Sequence, residues 1–224
     1  MEQPEQPWIA IAIDGPAASG KSSVARGLAR RLGYLYVNSG SLYRGVSWCL
    51  LERGVPASDS CEVIRLIESM EIVCGVDDGA SSLTIDGCDP TPHLSSERVN
   101  ASVSGYSAIP EVREKLVEKL HAYSSLDNLV MEGRDIGSVV FPDTPYKFYI
   151  DASEEVRNAR RAQEGYLDQI AERDKLDSSR KTSPLTVPDG AVVIDSSEMT
   201  IEEVVDEIVQ TLESKGLPIE EGAA

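Results

Sequence analysis

Histidine and cysteine are scarce in this 224-residue chain: two histidines and four cysteines, with no C-x-x-C pair among them. Zinc sites are built from clustered His and Cys at short spacings, so a site of that kind is excluded as the organising theme. Cys49, Cys61, Cys74 and Cys88 read as isolated packing residues in a reducing compartment, with no disulfide framework. Long apolar runs are missing too. The first, Trp8–Ile13, follows the acidic start Met1-Glu2-Gln3-Pro4-Glu5 and is too short and wrongly flanked for a signal peptide or membrane span. A cytoplasmic protein is expected. Positive charge is the third shortage, since 21 Lys and Arg face 38 Asp and Glu for a formal net charge of −17. Bulk nucleic acid, whose binding rests on clustered cations that displace counterions, is thereby excluded as a partner. Neither a D-x-x-G nor an N-K-x-D string occurs, which removes a regulatory GTPase. At this length a core can be buried without staples, and a monomer is expected.

What is present is Gly15-Pro16-Ala17-Ala18-Ser19-Gly20-Lys21-Ser22, with G-x4-G-K-[ST] spacing, directly after the first apolar run. Small residues let the backbone N–H groups of such a loop turn inward into an anion nest at a helix N-terminus, where the peptide dipole also favours negative charge. A polyphosphate such as that of ATP fits there, held by residues 15–23 through Ser23. Lys21 would sit against the β- and γ-phosphates, and the Ser22 hydroxyl would ligate the accompanying Mg2+. The helix predicted over Lys21–Leu32, with Val24, Leu28 and Leu32 on one face, supplies the context the motif requires.

Further buried strands are predicted at Tyr34–Val37, Leu129–Met131, Lys147–Ile150 and Ala191–Ile194, each short, apolar and bounded by turn residues. Helical periods lie between them. The last carries Ile201, Val204, Val205, Ile208, Val209 and Leu212 on one face, with a Thr200–Glu203 capping box. This alternation predicts an α/β fold of three layers, a central parallel sheet with helices on both faces. The stretch 54–107 breaks the pattern with a helix (Cys61–Met70) and two β-like runs (Glu71–Val76, Ser81–Ile85) joined through Asp77-Asp78-Gly79, and reads as an insertion with a hairpin-like turn. The organisation is then a tail (1–7), core with the glycine loop (8–53), insertion (54–107), core (108–153), a lid and arginine-rich helix (154–182), core (183–215) and a tail (216–224) that frays.

Four segments concentrate arginine. In Asn38-Ser39-Gly40-Ser41-Leu42-Tyr43-Arg44, Ser39 and Arg44 stand where open α/β sheets bind ligands, or else form a capped helix start with a solvated arginine. Glu132-Gly133-Arg134-Asp135 ends an apolar strand. Glu132 could hold Mg2+ through water, while Arg134 and Asp135 either serve a ligand or pair with each other. In Arg173–Arg180, a helix would align Arg173, Asp177 and Arg180 on one face, for a sugar hydroxyl and a phosphate or for an ordinary salt bridge. Arg157-Asn158-Ala159-Arg160-Arg161 reads as a basic lid helix or a solvated face. Two phosphorylated ligands, one in the loop and one among the arginines, imply phosphoryl transfer; a P-loop kinase for another small acceptor and a non-catalytic nucleotide-sensing module are the rival readings. That chemistry needs alignment and positive charge rather than a strong base, and it makes Lys21, Arg160, Arg161 and Arg180 catalytic candidates.

These residues resemble the bacterial cytidylate kinase family. The likeness runs from Ile9 to about Leu212. It rests on Ile13-Asp14-Gly15-Pro16, on Asn38–Arg44, on Glu132-Gly133-Arg134-Asp135-Ile136-Gly137-Ser138-Val139-Val140-Phe141-Pro142, and on the R-D-x-x-D-x-x-R-x-x-x-P-L spacing over Arg173–Leu185. The resemblance implies a P-loop kinase fold with an inserted monophosphate-binding domain, and transfer of the ATP γ-phosphoryl to CMP or dCMP. It further implies that Arg44, Arg134 and Arg180 grip the CMP phosphate beside Ser39, that Arg173 and Asp177 meet the ribose, and that Ser104, Arg113 and Asp135 read the cytosine edge. A carboxylate can accept from the exocyclic amine of cytosine, where uracil presents a carbonyl. Two departures stand out: Asn38 replaces the usual Asp, and the lid before Arg173 is short.

Overall fold

The central strands are apolar on both faces because both faces are covered. In β1 (Ala10–Asp14) and β5 (Leu129–Gly133) every residue is buried, as in parallel strands sandwiched between helices. The computed structural model describes residues 8–163, 174 and 185–219. Five further strands flank this pair: β2 (Leu35–Asn38), β3 (Ile72–Asp77), β4 (Ala80–Ile85), β6 (Lys147–Asp151) and β7 (Val192–Asp195). They form one sheet in the order β3-β4-β2-β5-β1-β6-β7. Strands β2, β5, β1, β6 and β7 run parallel. Trp8 stays outside β1, its ring 5.5 Å from that of Phe141.

Alternate residues of each strand serve opposite cores. Ala10, Ala12, Leu35, Val37, Leu129 and Met131 face α2 (Ser39–Glu52), α3 (Ser60–Ser69), α4 (Glu97–Ser107) and α5 (Pro110–Ala122), packing with Leu42, Val46, Val63, Tyr106 and Leu116. Ile11, Ile13, Val130, Phe148 and Ile150 pack on the other side against α1 (Lys21–Leu32) and α7 (Ile201–Ser214) through Val24, Leu28, Val205, Ile208 and Leu212. Truncating a wholly buried side chain such as Leu116 to Ala would cost roughly 2–5 kcal/mol. The predicted Thr200–Glu203 capping box opens α7. Helix α6 (Glu154–Gln163) has no buried residue.

The sheet is not parallel throughout. β3 runs antiparallel to β4, because Asp78 and Gly79 between them take positive φ of 46° and 70°, the conformation of a two-residue hairpin turn that can only reverse the chain. The hairpin joins β2 in parallel through Tyr36 and Ala80. Residues of the 54–107 stretch, including Ile67, Met70, Ile85 and Tyr106, share the core of the parallel strands. The C-terminal segment also departs from expectation. Rather than fraying from residue 216, the chain is held by Gly216 and Leu217 N–H bonds to the Glu213 and Leu212 carbonyls, 2.9 and 3.0 Å, and Leu217 is buried. Among the described residues no helix is long and apolar enough to cross a membrane.

Candidate active site

The sheet register gathers the site. Asp14 lies beside Gly133, and Asn38 beside Glu132, so the C-terminal ends of β1, β2 and β5 open at one place, as expected of an open α/β sheet. The glycine loop leaves β1 there. At Gly15 a Cβ would stand 2.2 Å from the Ile150 carbonyl oxygen, so β6 passes too close for any side chain. The loop ends at Gly20, whose φ of 90° turns the chain into α1; this helix has neither a side-chain N-cap nor an acid in its first turn. The positive end of its dipole therefore favours an external anion at this point. Lys21 is buried and donates from Nζ to the Pro16 carbonyl at 2.8 Å. Ser22 Oγ donates to Glu132 Oε1 at 2.8 Å, joining two hard oxygen donors of the kind Mg2+ takes.

A cavity of about 220 Å³ opens beside the loop. Ala17, Ala18, Gly20, Lys21, Ser22 and Ser23 form one side; Ser39, Arg44, Ser104, Arg113, Arg134 and Asp135 form the other, with Glu132 below and Arg161 reaching in from α6. Among the described residues five basic and two acidic side chains line it, a local reversal of the net charge of −17 that suits a small polyanion. Arg134 Nη1 donates to the Gly15 carbonyl at 2.8 Å. Arg113 and Asp135, both buried, form an ion pair; Arg134 and Asp135 thus engage different groups rather than each other. Arg113 also donates to the Ser107 carbonyl at 3.3 Å and lies 5.4 Å from the centre of the Tyr43 ring. Its buried Nε has no hydrogen-bond partner among the described residues.

The other loop residues are turned away from this cavity. Gly15 and Pro16 offer carbonyls to Arg134 and Lys21, and Ser19 is wholly buried. Arg160 also lies elsewhere, on the outer flank of the loop, where it donates to the carbonyls of Ser19 (3.1 Å) and Ser196 (2.7 Å) beside a cavity of about 330 Å³ that includes Met199 and Ile201. Arg157 clasps the Ala17 carbonyl at 3.2 Å and pairs with Asp174, whose carboxylate accepts from Ala17 N. Arg173, Asp177 and Arg180 lie outside the described residues. Asn38 caps α2 by accepting from Ser41 N at 3.1 Å, so the capped helix start and the cavity-lining Ser39 and Arg44 coexist.

Several residues escaped the sequence reading. Tyr43 and Ser107 line the cavity; Ser107 follows Ser104 by one helical turn and was findable from spacing, whereas Ser196 reaches the loop across 177 residues with no local signal. Asp14 is the most unusual. This carboxylate is fully buried, accepts from Ile136 N and Gly137 N at 2.7 Å each, and burial pushes its pKa up from 3.8 to about 7 despite those bonds.

The chain aligns with known proteins over nearly its whole length. A model of the cytidylate kinase family matches residues 11–214. Cytidylate kinase of Streptomyces avermitilis is 37% identical over 93% of this chain and 94% of its own, and that of Clostridium botulinum is 42% identical over 89% and 95%. In a solved structure of an uncharacterized protein from Eubacterium ventriosum the fold recurs at 14% identity with a TM-score of 0.50, covering 92% of this chain and 99% of the other. Because the match extends from the first core strand to the last helix, through the loop and the opposing arginines alike, the chain belongs to the cytidylate kinase family.

Proposed function

We propose that the residues around the central cavity divide the work of a cytidylate kinase, which transfers the γ-phosphoryl of ATP to CMP or dCMP. The ATP phosphates occupy the loop of residues 15–23, with Lys21 released from the Pro16 carbonyl onto the β- and γ-oxygens. Ser22 and Glu132, whose side-chain oxygens are already 2.8 Å apart, would hold Mg2+, Glu132 through water, and the ion would supply charge neutralisation on the phosphates. The donor base lies on the outer flank near Arg160, Ser196 and Met199.

The acceptor takes the opposite wall. Arg44 and Arg134 with Arg180 bind its phosphate beside Ser39, Arg173 and Asp177 meet the ribose, and Ser104, Arg113 and Asp135 read the cytosine edge. The acceptor oxygen belongs to a phosphate that is already ionised, so no general base is needed. The chain supplies alignment, exclusion of water and the cations Lys21, Arg161 and Arg180 for the equatorial oxygens. Every assigned residue comes from one chain, so a monomer suffices, with 54–107 acting as the monophosphate-binding part and 154–182 as the lid.

The observation that carries this reading is the buried Arg113–Asp135 pair facing the glycine loop across a single cavity. A non-catalytic nucleotide-sensing module has no use for a second polar wall carrying a buried ion pair. The test is coupled ADP release with ATP and Mg2+ across nucleoside monophosphates. CMP and dCMP should react, UMP more slowly, AMP and GMP not at all; equal rates with AMP would remove the acceptor assignment.

A further inference from the structure

Asp14 has no part in the chemistry above, yet it is an ionisable group wholly buried between the two halves of the site. It is the last residue of β1 and adjoins Gly15 of the loop. Its two oxygens accept from the N–H groups of Ile136 and Gly137, both at 2.7 Å, the first two residues of the π-helical turn Ile136–Val140. That turn begins at Asp135, whose carbonyl accepts from the N–H groups of Val139 and Val140 at 2.9 and 3.2 Å. Asp135 has no side-chain N-cap role in the turn; its carboxylate is turned instead to Arg113. The orphan N–H groups at a helical start need an acceptor. Here it comes from another strand. A second tie runs alongside, from Arg134 to the Gly15 carbonyl at 2.8 Å.

We propose that Asp14 is a positioning residue for acceptor selection: by anchoring the turn after Asp135 to the end of β1, it sets where the Asp135 carboxylate stands relative to the phosphate loop. The inference rests on the reading that Asp135 meets the acceptor base. A recognition carboxylate must be held to within about 0.5 Å to discriminate between acceptors, and neither Arg113, which lies on α5, nor the turn itself refers Asp135 to the loop. The Arg134 bond to the Gly15 carbonyl ties the chain to the loop before Asp135; Asp14 ties it after, because it is covalently one residue from Gly15 and spends both oxygens on the turn.

Asp14→Asn in the full chain tests this. The amide keeps the shape but sets an NH2 group against one of the two N–H donors, so the turn must swing away. Steady-state kinetics should show KM for CMP rising about tenfold and the CMP-over-UMP preference falling about fivefold or more, with KM for ATP within about twofold of wild type. A folded variant with unchanged preference, or with both KM values raised equally at constant preference, overturns the proposal, since a merely structural role would lower the melting temperature and leave the acceptor ratio alone.

If Asp14→Asn does not fold, Gly137→Ala decides. The added methyl would lie 3.3 Å from Asp14 Oδ2, 3.1 Å from Pro188 Cγ and 3.3 Å from Lys147 Cδ, close enough to push the turn from its anchor by a few tenths of an ångström. The preference should fall about threefold; an unchanged ratio overturns the proposal. Asp135→Asn run in parallel separates the two layers. If it leaves the preference intact, the base-reading assignment fails and the inference falls with it; if it alters the preference while Asp14→Asn and Gly137→Ala do not, only the positioning role is lost.

Discussion

Replacing Asp135 by Asn perturbs one wall of the cavity at one atom, and the expected consequences for stability and selectivity can be worked separately. The Asp135 and Arg113 side chains are 6% and 5% exposed. Removing one partner of a buried ion pair outright costs about 3–5 kcal/mol, mostly from the charge left behind. Asn retains the shape and one acceptor oxygen, and Arg113 keeps the Ser107 carbonyl and the face of Tyr43, so a loss of about 2 kcal/mol is expected. For a chain of this size that lowers the melting temperature by roughly 4–8 °C. Selectivity changes for a different reason. The carboxylate can only accept, which suits the exocyclic amine of cytosine and leaves it facing a carbonyl in uracil; the amide can also donate. The CMP-over-UMP ratio of kcat/KM should therefore shrink about 10–100-fold, equivalent to roughly 1.4–2.8 kcal/mol. Coupled ADP release at saturating ATP measures the ratio, and a thermal melt by circular dichroism measures the stability. A melt that falls while the ratio stays at the wild-type value would show that the pair holds the fold together without reading the base.

Lys21→Ala should lower kcat by on the order of 10²–10³ or more while preserving the melt, since its charge is spent on the transferring group rather than on apolar packing; loss of the cooperative transition would mark it as structural. Asp177→Ala should weaken CMP more than dCMP, whereas Arg180→Ala should harm both equally; identical CMP and dCMP losses for Asp177→Ala would remove it from the sugar. Burial raises the Asp14 pKa from 3.8 to about 7, with Asp135 adding to the rise and Lys21 and the two N–H groups opposing it. The folded state then holds this proton where the unfolded state has lost it, so the stability contribution of Asp14 is full below about pH 4 and is lost as pH rises through about 7. Asp14→Asn removes that dependence, and the melting temperature of the variant minus that of wild type should climb between pH 5 and 8; a flat difference would show that Asp14 carries an ordinary pKa.

Local rules carried much of the fold. Apolar runs bounded by turn residues placed β1, β2, β5, β6 and β7 within a residue or two, because a strand covered on both faces must be apolar throughout; β7, expected to be buried, is an edge strand in which only Ile194 is buried and Val193 is exposed. The loop was legible since its backbone conformation demands glycine and small residues at fixed offsets. Asp78-Gly79 announced its hairpin through positive φ. The Thr200 capping box was readable for the same reason, a bond between residues three apart.

Other features had no local cause. That the hairpin would extend the main sheet, and that the 54–107 stretch would share its core, depended on which surfaces met after collapse. Leu217, which joins the α1–α7 core, was not legible because a single apolar residue beyond a glycine carries no period. The resemblance to a family assigned roles to Arg113 and Asp135, but their pairing, 22 residues apart across two elements, was decided by the packing of α5 against the end of β5. Asp14 shows the division most sharply. As a residue type it signalled only the end of a strand; buried between two backbone donors from a turn 122 residues away, it became the link between the phosphate loop and the opposite wall, because hydrogen bonding to a distant turn exists only once the parallel sheet has brought β1 and β5 into register.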